Sequence, residues 1–128
     1  MNPLTLERVN KADEDFIAAE RLLRVRKTPV YSVVCFHSQQ CAEKLLKAIL
    51  QEHQQHVPRI HHLADLLTLI IQVDASFQFL SSDLKVLEDY AVDFRYPGNY
   101  AGKDDAKLAL KATKNVRVFI RNKLNLPS

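Results

Sequence analysis

Glycine occurs only twice in this chain of 128 residues, at Gly98 and Gly102, within five residues of each other. Through the rest of the chain, apolar side chains recur at steps of three and four, which is the period of an amphipathic α-helix. So few glycines and such spacing argue against a sheet. The sequence therefore predicts an all-α fold, an up-and-down antiparallel bundle of about five helices, with residues 1–128 forming a single domain.

The predicted helices follow from the apolar spacing and from the prolines. The chain cannot stay helical close to Pro97, because Tyr96 precedes a proline and is pushed out of the α region. The Pro97–Gly98 pair is expected to form the turn. The second helix is apolar on several sides, so we expect it to be central in the bundle. The five helices are expected over roughly residues 3–26, 30–54, 62–73 and 80–95 and, from Lys103 on, over the C-terminal segment.

The composition places the chain among ordinary globular domains, with 47% apolar and 26% charged residues. Cys35 and Cys41 are six residues apart on one predicted helix, too far for disulfide geometry, so we expect reduced thiols and a cytosolic compartment. The N-terminal segment lacks the apolar core of a secretory signal. No window approaches the roughly 18 apolar residues of a membrane span. We therefore expect a soluble, cytoplasmic protein with no membrane partner.

The positive charge is concentrated at the C-terminal end. Residues 103–128 contain seven basic and two acidic side chains, whereas residues 1–102 sum to −2. Five of the basic residues follow steps of four, three, three and four, which places them on one ridge of the last helix. Such a ridge suits phosphate, although a plain solvated face is the alternative. The ridge consists of Lys107, Lys111, Lys114, Arg117 and Arg121.

Three segments of the chain, in their order and spacing, resemble the HEPN family (higher eukaryotes and prokaryotes nucleotide-binding). HSQQCAEKLLKA, residues 37–48, is similar to that family's "QQ, two small residues, EK, then LKA" helix. HHLADLL, residues 61–67, resembles its "H, then L, then LL" opening of the third helix. DFRYP, residues 93–97, resembles its "RYP" corner. The resemblance covers nearly the whole chain, and the first segment is the most specific.

The resemblance implies a small helical bundle, usually a homodimer, often encoded or complexed with a minimal nucleotidyltransferase. Many members of the family are RNA-cleaving toxins, and these carry an arginine followed four to six residues later by a histidine. In such a pair the arginine holds the scissile phosphate and the imidazole moves a proton, without a metal ion. The expected partners are thus nucleotide or RNA and a nucleotidyltransferase of a toxin–antitoxin-like module.

This chain departs from the ribonuclease motif. Arg95 is followed by Tyr100 at the position of the family's histidine, and no histidine occurs further along the chain. A phenol, with an ordinary pKa near 10, is a poor base at neutral pH. We therefore expect Arg95 and Tyr100 to bind phosphate with weak or absent catalysis, unless a histidine such as His37 substitutes. The alternative for Arg95 is a helix-end role, paired with Asp93 or Glu43.

The second predicted helix carries four polar residues within little more than one turn of an otherwise apolar surface: Gln39, Gln40, Glu43 and Lys44. Some of them should face a polar crevice and form hydrogen bonds there. We predict that this group binds nucleotide or phosphate together with Arg95, Lys107, Lys111 and Lys114, all on one surface. The alternative is an internal network that joins helices.

Most familiar enzyme and cofactor sites lack the residues that they need in this chain. It has no Gly-rich phosphate loop, nucleophile elbow or zinc-finger spacing. Four histidines cluster at His53, His56, His61 and His62, but no Cys or carboxylate stands in ligand register with them, so we expect neither a metal nor a cofactor. A binding and partner module is therefore the leading interpretation, with a ribonuclease toxin and a helical interaction scaffold as alternatives.

Overall fold

The computed structural model describes residues 1–94 and 96–128. Within these ranges the chain forms helices and no β-strand, so the predicted all-α fold is confirmed. A short 3₁₀ helix, Ala75–Leu80, precedes the fourth α-helix and was not predicted. The five α-helices are α1 (Pro3–Leu23), α2 (Tyr31–Glu52), α3 (Leu63–Ile70), α4 (Ser81–Asp93) and α5 (Lys103–Lys123).

The helices are slightly shorter than predicted, and local backbone explains part of the difference. α1 begins where the Asn2 side chain accepts a hydrogen bond from the backbone N–H of Leu4 at 2.8 Å, with Pro3 in the first turn. Gln54 has a φ of 57°, and a residue in this left-handed region ends α2 before the predicted boundary. In the same way Thr28, with a φ of 55°, marks the turn between α1 and α2.

The segment between α3 and α4 is where the prediction was least complete. Asp74 accepts hydrogen bonds from Ser76 and starts the 3₁₀ helix, in which Phe77 is fully buried. Leu80 belongs to this 3₁₀ helix, although it was assigned to the fourth helix. Ser81 is the first residue of α4 and makes no capping hydrogen bond. A 3₁₀ turn of this kind is short, so it leaves little periodic signal in the sequence.

α2 is the central helix, as predicted, because it packs against each of the other four α-helices. α1 runs antiparallel to it, with the backbone N–H of Asn2 donating to Glu52 at 3.1 Å. The start of α5 lies beside the start of α2, where the N–H of Ala101 donates to Ser32 at 3.3 Å. This arrangement places the first turns of α2 next to the corner between α4 and α5.

Both cysteines are free and buried in the core that surrounds α2. Burial raises the pKa of the Cys35 thiol to about 12 and that of Cys41 to about 12 as well. The thiols are therefore protonated at neutral pH and have little nucleophilic character. None of the helices in the described ranges is long and apolar enough to cross a bilayer.

Candidate functional site

A cleft of about 610 Å³ opens between α2, the loop before α3 and the second half of α4. α2 lines it from Ser32 to Glu43, the loop contributes His61 and His62, and α4 contributes residues between Glu88 and Phe94. The three segments that carry the family resemblance lie far apart in the chain. Parts of all three meet at this cleft, so we take it as the candidate functional site.

The floor of the cleft is built around the buried carboxylate of Glu43. One of its oxygens, Oε2, lies 2.8 Å from Nδ1 of His61 and 3.1 Å from Nζ of Lys47. The other, Oε1, accepts a long hydrogen bond of 3.4 Å from the amide of Gln39. Because a carboxylate oxygen only accepts, Nδ1 of His61 carries the proton and Nε2 is left for other contacts. The carboxylate is thus compensated on both sides, as burial requires.

The two glutamines differ in how completely they are engaged. Gln39 is buried; its amide also reaches the backbone oxygen of His61 at 3.5 Å, and its Oε1 accepts from Gln40 at 2.9 Å. Gln40 is half-buried, and its own Oε1 has no hydrogen-bond partner in the part of the chain that the structure describes. An internal network therefore accounts for Gln39, whereas Gln40 retains polar atoms at the cleft.

Lys44 does not join this group, although it follows Glu43 directly. One residue corresponds to a rotation of about 100° around a helix, which turns Lys44 toward α1. There it pairs with the buried carboxylate of Asp15, which also lies 2.8 Å from Nδ1 of His37. The structure thus separates Lys44 from Gln39, Gln40 and Glu43, and it holds His37 by a carboxylate outside the cleft.

Glu88, on the opposite side of the cleft, was not predicted from the sequence as a site residue. Its Oε1 accepts from the backbone N–H of Leu63 at 2.8 Å and lies 3.5 Å from Nε2 of His62. Glu88 therefore caps the start of α3 from another helix. The only signal for such a partner in the sequence was that His62, the residue before α3, offers no capping oxygen of its own.

Aromatic side chains form the apolar part of the cleft. Phe36, on α2, is 54% exposed. On the α4 side the rings of Tyr90 and Phe94 are stacked, with 5.5 Å between their centroids and 22° between their planes. Burial, and then the negative charge of Asp105, raise the pKa of Tyr90. Neither this phenol nor the Cys35 thiol can therefore act as a base at neutral pH.

The predicted cationic ridge on α5 is divided into two parts. Arg117 and Arg121 both bind Asp13 of α1, at 3.1 and 3.2 Å, and the guanidinium of Arg117 lies over the ring of Phe16. The other three residues of the ridge are exposed and form no ion pair within the described residues: Lys107, Lys111 and Lys114. None of them lines the cleft. The expectation that the ridge and the α2 residues share one surface is therefore not met by the geometry of the cleft.

Comparison with known proteins identifies the family. The model of the HEPN domain matches residues 5–123. This chain belongs to the HEPN family. A protein of Methanocaldococcus jannaschii named "Putative toxin MJ1304" is 31% identical over 131 aligned residues, which cover 89% of this chain and 84% of that protein.

Two solved structures have the same fold as this HEPN domain. TT1696 from Thermus thermophilus has a TM-score of 0.78 and 27% identity, over 96% of this chain and 99% of that one. ST0689, described as an archaeal HEPN homologue, has a TM-score of 0.73 over 93% of this chain and 96% of the other. The identity to ST0689 is 23%, so this second likeness concerns the fold alone.

The corner of this HEPN domain between α4 and α5 contains the predicted turn. The N–H of Asn99 donates to the backbone oxygen of Tyr96 at 3.3 Å, and Gly98 has a φ of +90°, which a residue with a Cβ rarely adopts. Tyr100 is 83% exposed and lines a second cleft of about 620 Å³. Arg95 lies outside the described residues, as does its expected pairing with Asp93 or Glu43.

Potential metal ligands are dispersed in the described ranges, where no three His, Cys, Asp or Glu side chains come together as a metal site. His61 lies against Glu43, and His62 lies between Asp65 and Glu88. These two histidines of the sequence cluster are thus used in contacts with carboxylates.

Proposed function

We propose that this HEPN domain binds nucleotide or RNA through phosphate and is the partner of a minimal nucleotidyltransferase in a toxin–antitoxin-like module, with weak or absent catalysis. The observation that carries the proposal is that Lys107, Lys111 and Lys114 are exposed and form no ion pair with any described residue. Arg117 of the same ridge differs from them, because Asp13 of α1 pairs with it.

The geometry of the three lysines suits a polyanion. They lie within two turns of α5, so at 1.5 Å per residue the first and the last are separated by about 10 Å along the axis. Mobile ammonium groups at such spacing can neutralise successive phosphates and release their counterions. The exposed Tyr100 precedes α5 by three residues and offers a hydroxyl at the same end of the helix.

The expectation of weak catalysis follows from the missing histidine. Tyr100 replaces it, and His37, the histidine considered as a substitute, pairs with Asp15 of α1 and lines neither the cleft at Glu43 nor the one at Tyr100. A site that binds phosphate without a well-placed proton acceptor would retain RNA without cleaving it efficiently.

The test is RNA binding, followed by fluorescence anisotropy, in a triple variant Lys107→Ala, Lys111→Ala, Lys114→Ala. The matched control is Lys11→Ala, Lys27→Ala, Lys85→Ala, because both triples lower the formal net charge from +3 to 0. We expect the first triple alone to weaken binding strongly and to reduce the slope of log K against log salt by about 2. Equal losses in both triples would mean that net charge, and not this surface, attracts RNA.

The partner part of the proposal has a separate test. Co-expression with a minimal nucleotidyltransferase encoded beside this chain should give a complex that survives size-exclusion chromatography. Light scattering on the chain alone should report a homodimer, as the family resemblance implies. A monomer that does not bind the nucleotidyltransferase would contradict the partner role. It would not contradict the proposed binding of phosphate.

A metal-independent ribonuclease is the second candidate, favoured by the name of the similar Methanocaldococcus jannaschii protein, which describes it as a toxin. The experiment is cleavage of a mixed RNA pool with metal ions chelated, in the native chain, Arg95→Ala and Tyr100→His. Cleavage that disappears with Arg95→Ala would establish a nuclease in which Tyr100 serves as the substitute. If neither cleavage nor RNA binding is observed, a helical interaction scaffold is the better account.

A further inference from the structure

The cleft between α2 and α4 has the size and walls of a small-molecule site. Its volume of about 610 Å³ falls in the usual range for such sites, about 300–1,000 Å³. Phe36 lines it on the α2 side and is more than half exposed, so its ring is accessible to a ligand. Tyr90 and Phe94 line the α4 side. Aromatic side chains of this kind are the usual stacking surface for planar bases.

Among the described residues, the polar atoms that remain without a partner at the cleft are mainly acceptors. Gln40 keeps its Oε1, while one amide N–H of the same side chain is used by Gln39. Glu88 keeps its Oε2, since the described contacts of its carboxylate involve Oε1. His61 donates through Nδ1 to Glu43, which leaves Nε2 as the ring nitrogen that can accept from a ligand. A ligand that fits these atoms must bring hydrogen-bond donors.

The charges that the described residues bring to the cleft disfavour phosphate inside it. Glu43 is compensated by Lys47, which lies beneath it and is only 12% exposed. Glu88 has no lysine or arginine partner among the described residues, and its nearest cation-forming group is the imidazole of His62. An anion in the cleft would therefore meet the carboxylate of Glu88, whereas a neutral planar donor would be attracted to it.

We infer that this cleft is a nucleobase pocket that prefers adenine and cytosine, with the amino groups N6 and N4, over uracil. An amide such as that of Gln40 can pair with the amino group and ring nitrogen of adenine, and a carboxylate such as that of Glu88 accepts from the amino group of cytosine. Uracil presents a carbonyl oxygen where these bases present the amino group. The inference rests on the proposed function, since it names the base that enters the cleft while phosphate stays outside.

The first test uses nucleosides, which carry no phosphate, so that it is independent of the lysines on α5. Titration calorimetry should give adenosine and cytidine at least tenfold tighter binding than uridine. Weaker binding of adenosine and cytidine than of uridine, or no binding of any nucleoside, would overturn the pocket. RNA binding lost in the α5 lysine triple would still support the proposed function in either case, so the two failures are distinguishable.

Glu88→Gln tests the source of the preference. The glutamine oxygen must accept from the N–H of Leu63 to keep the α3 cap, so its NH₂ group takes the place of Oε2 at the cleft. A donor then stands where an acceptor was, and the preference for adenosine and cytidine should vanish or reverse in favour of uridine. Glu14→Gln, an exposed acid on α1, is the matched control and should keep the native ratio. An unchanged ratio in Glu88→Gln would overturn this part of the inference.

Phe36→Leu tests the stacking wall. It should weaken the binding of all three nucleosides by a similar factor, because stacking depends little on the identity of the base. The control is Phe79→Leu, since Phe79 is a phenylalanine that is 74% exposed and does not line the cleft. Equal effects of the two substitutions would place nucleoside binding elsewhere. Thermal unfolding of each variant verifies that the fold is retained.

Discussion

The central helix is bordered by two trios of the same composition, each a buried carboxylate that binds one histidine and one lysine. The inner trio joins α1 to α2 and consists of Asp15, His37 and Lys44. The cleft trio lies at the candidate site and consists of Glu43, His61 and Lys47. In both, Nδ1 of the histidine is 2.8 Å from the carboxylate. Composition and the histidine distances alone would not distinguish them.

The difference lies in which partner faces solvent. In the cleft trio the lysine is enclosed and the His61 side chain is 77% exposed. In the inner trio His37 is 28% exposed and Lys44, at 38%, is the more accessible of the two partners. Lys47 thus compensates the negative charge of Glu43 within the fold, so that His61 is free to contact a ligand. The inner trio uses both His37 and Lys44 to join α2 to α1. Accessibility therefore separates a candidate site from a structural contact.

The largest expected effect is that of Glu43→Ala. It would leave the enclosed ammonium of Lys47 without its carboxylate, and breaking a buried pair in this way costs about 3–5 kcal/mol. Urea unfolding followed by circular dichroism measures the loss. Adding Lys47→Met should recover more than half of it, because the uncompensated charge is then gone. A loss below about 1 kcal/mol in the single variant would show that the cleft trio does not enclose its lysine.

Asp15→Ala should cost less, about 2 kcal/mol, because His37 and Lys44 are each about one-third exposed and can be hydrated when the carboxylate is lost. The same urea titration, carried out in parallel with Glu43→Ala, gives the comparison directly. Equal losses in the two variants would contradict the difference in enclosure between the trios.

The two histidines should separate stability from binding. His37→Ala should lower the free energy of unfolding by about 1–2 kcal/mol, because it removes a half-buried hydrogen bond to a carboxylate. His61→Ala should change it by less than about 0.5 kcal/mol, as is usual for an exposed side chain. In calorimetry with adenosine the order should be reversed, with His61→Ala the more harmful. A larger loss of stability in His61→Ala, or a larger loss of adenosine binding in His37→Ala, would contradict the roles assigned to the two trios.

A surface carboxylate gives the smallest expected effect and a reference for both trios. Hydrogen bonds from Ser76, and then from Lys123, lower the pKa of Asp74 to about 2. The stabilisation from this group is therefore present above its unfolded pKa, near 4, and is lost as the pH falls through about 2. Asp74→Asn should destabilise the domain at pH 5 by less than His37→Ala does. The difference from the native chain should shrink as the pH approaches 2, and a difference independent of pH would contradict this.

Local patterns in the sequence determined much of this protein. The apolar period predicted helices and the central place of α2, and Pro97 and Gly98 predicted the turn before α5, because helix periodicity and turn residues act within a few positions of the chain. The same local patterns carried the resemblance to the HEPN family. They also placed Gln39, Gln40 and Glu43 at a polar crevice, since polar residues on an apolar helix need partners.

Only the tertiary structure decided which of the candidate residues come together. It turned Lys44 toward Asp15, brought Glu88 to the start of α3, and divided the ridge on α5 by pairing Arg117 and Arg121 with Asp13. These partners are separated by 25 to 108 residues in the chain. Contacts at such separation depend on how the helices pack, and spacing along a single helix carries no information about the residue that faces it from another.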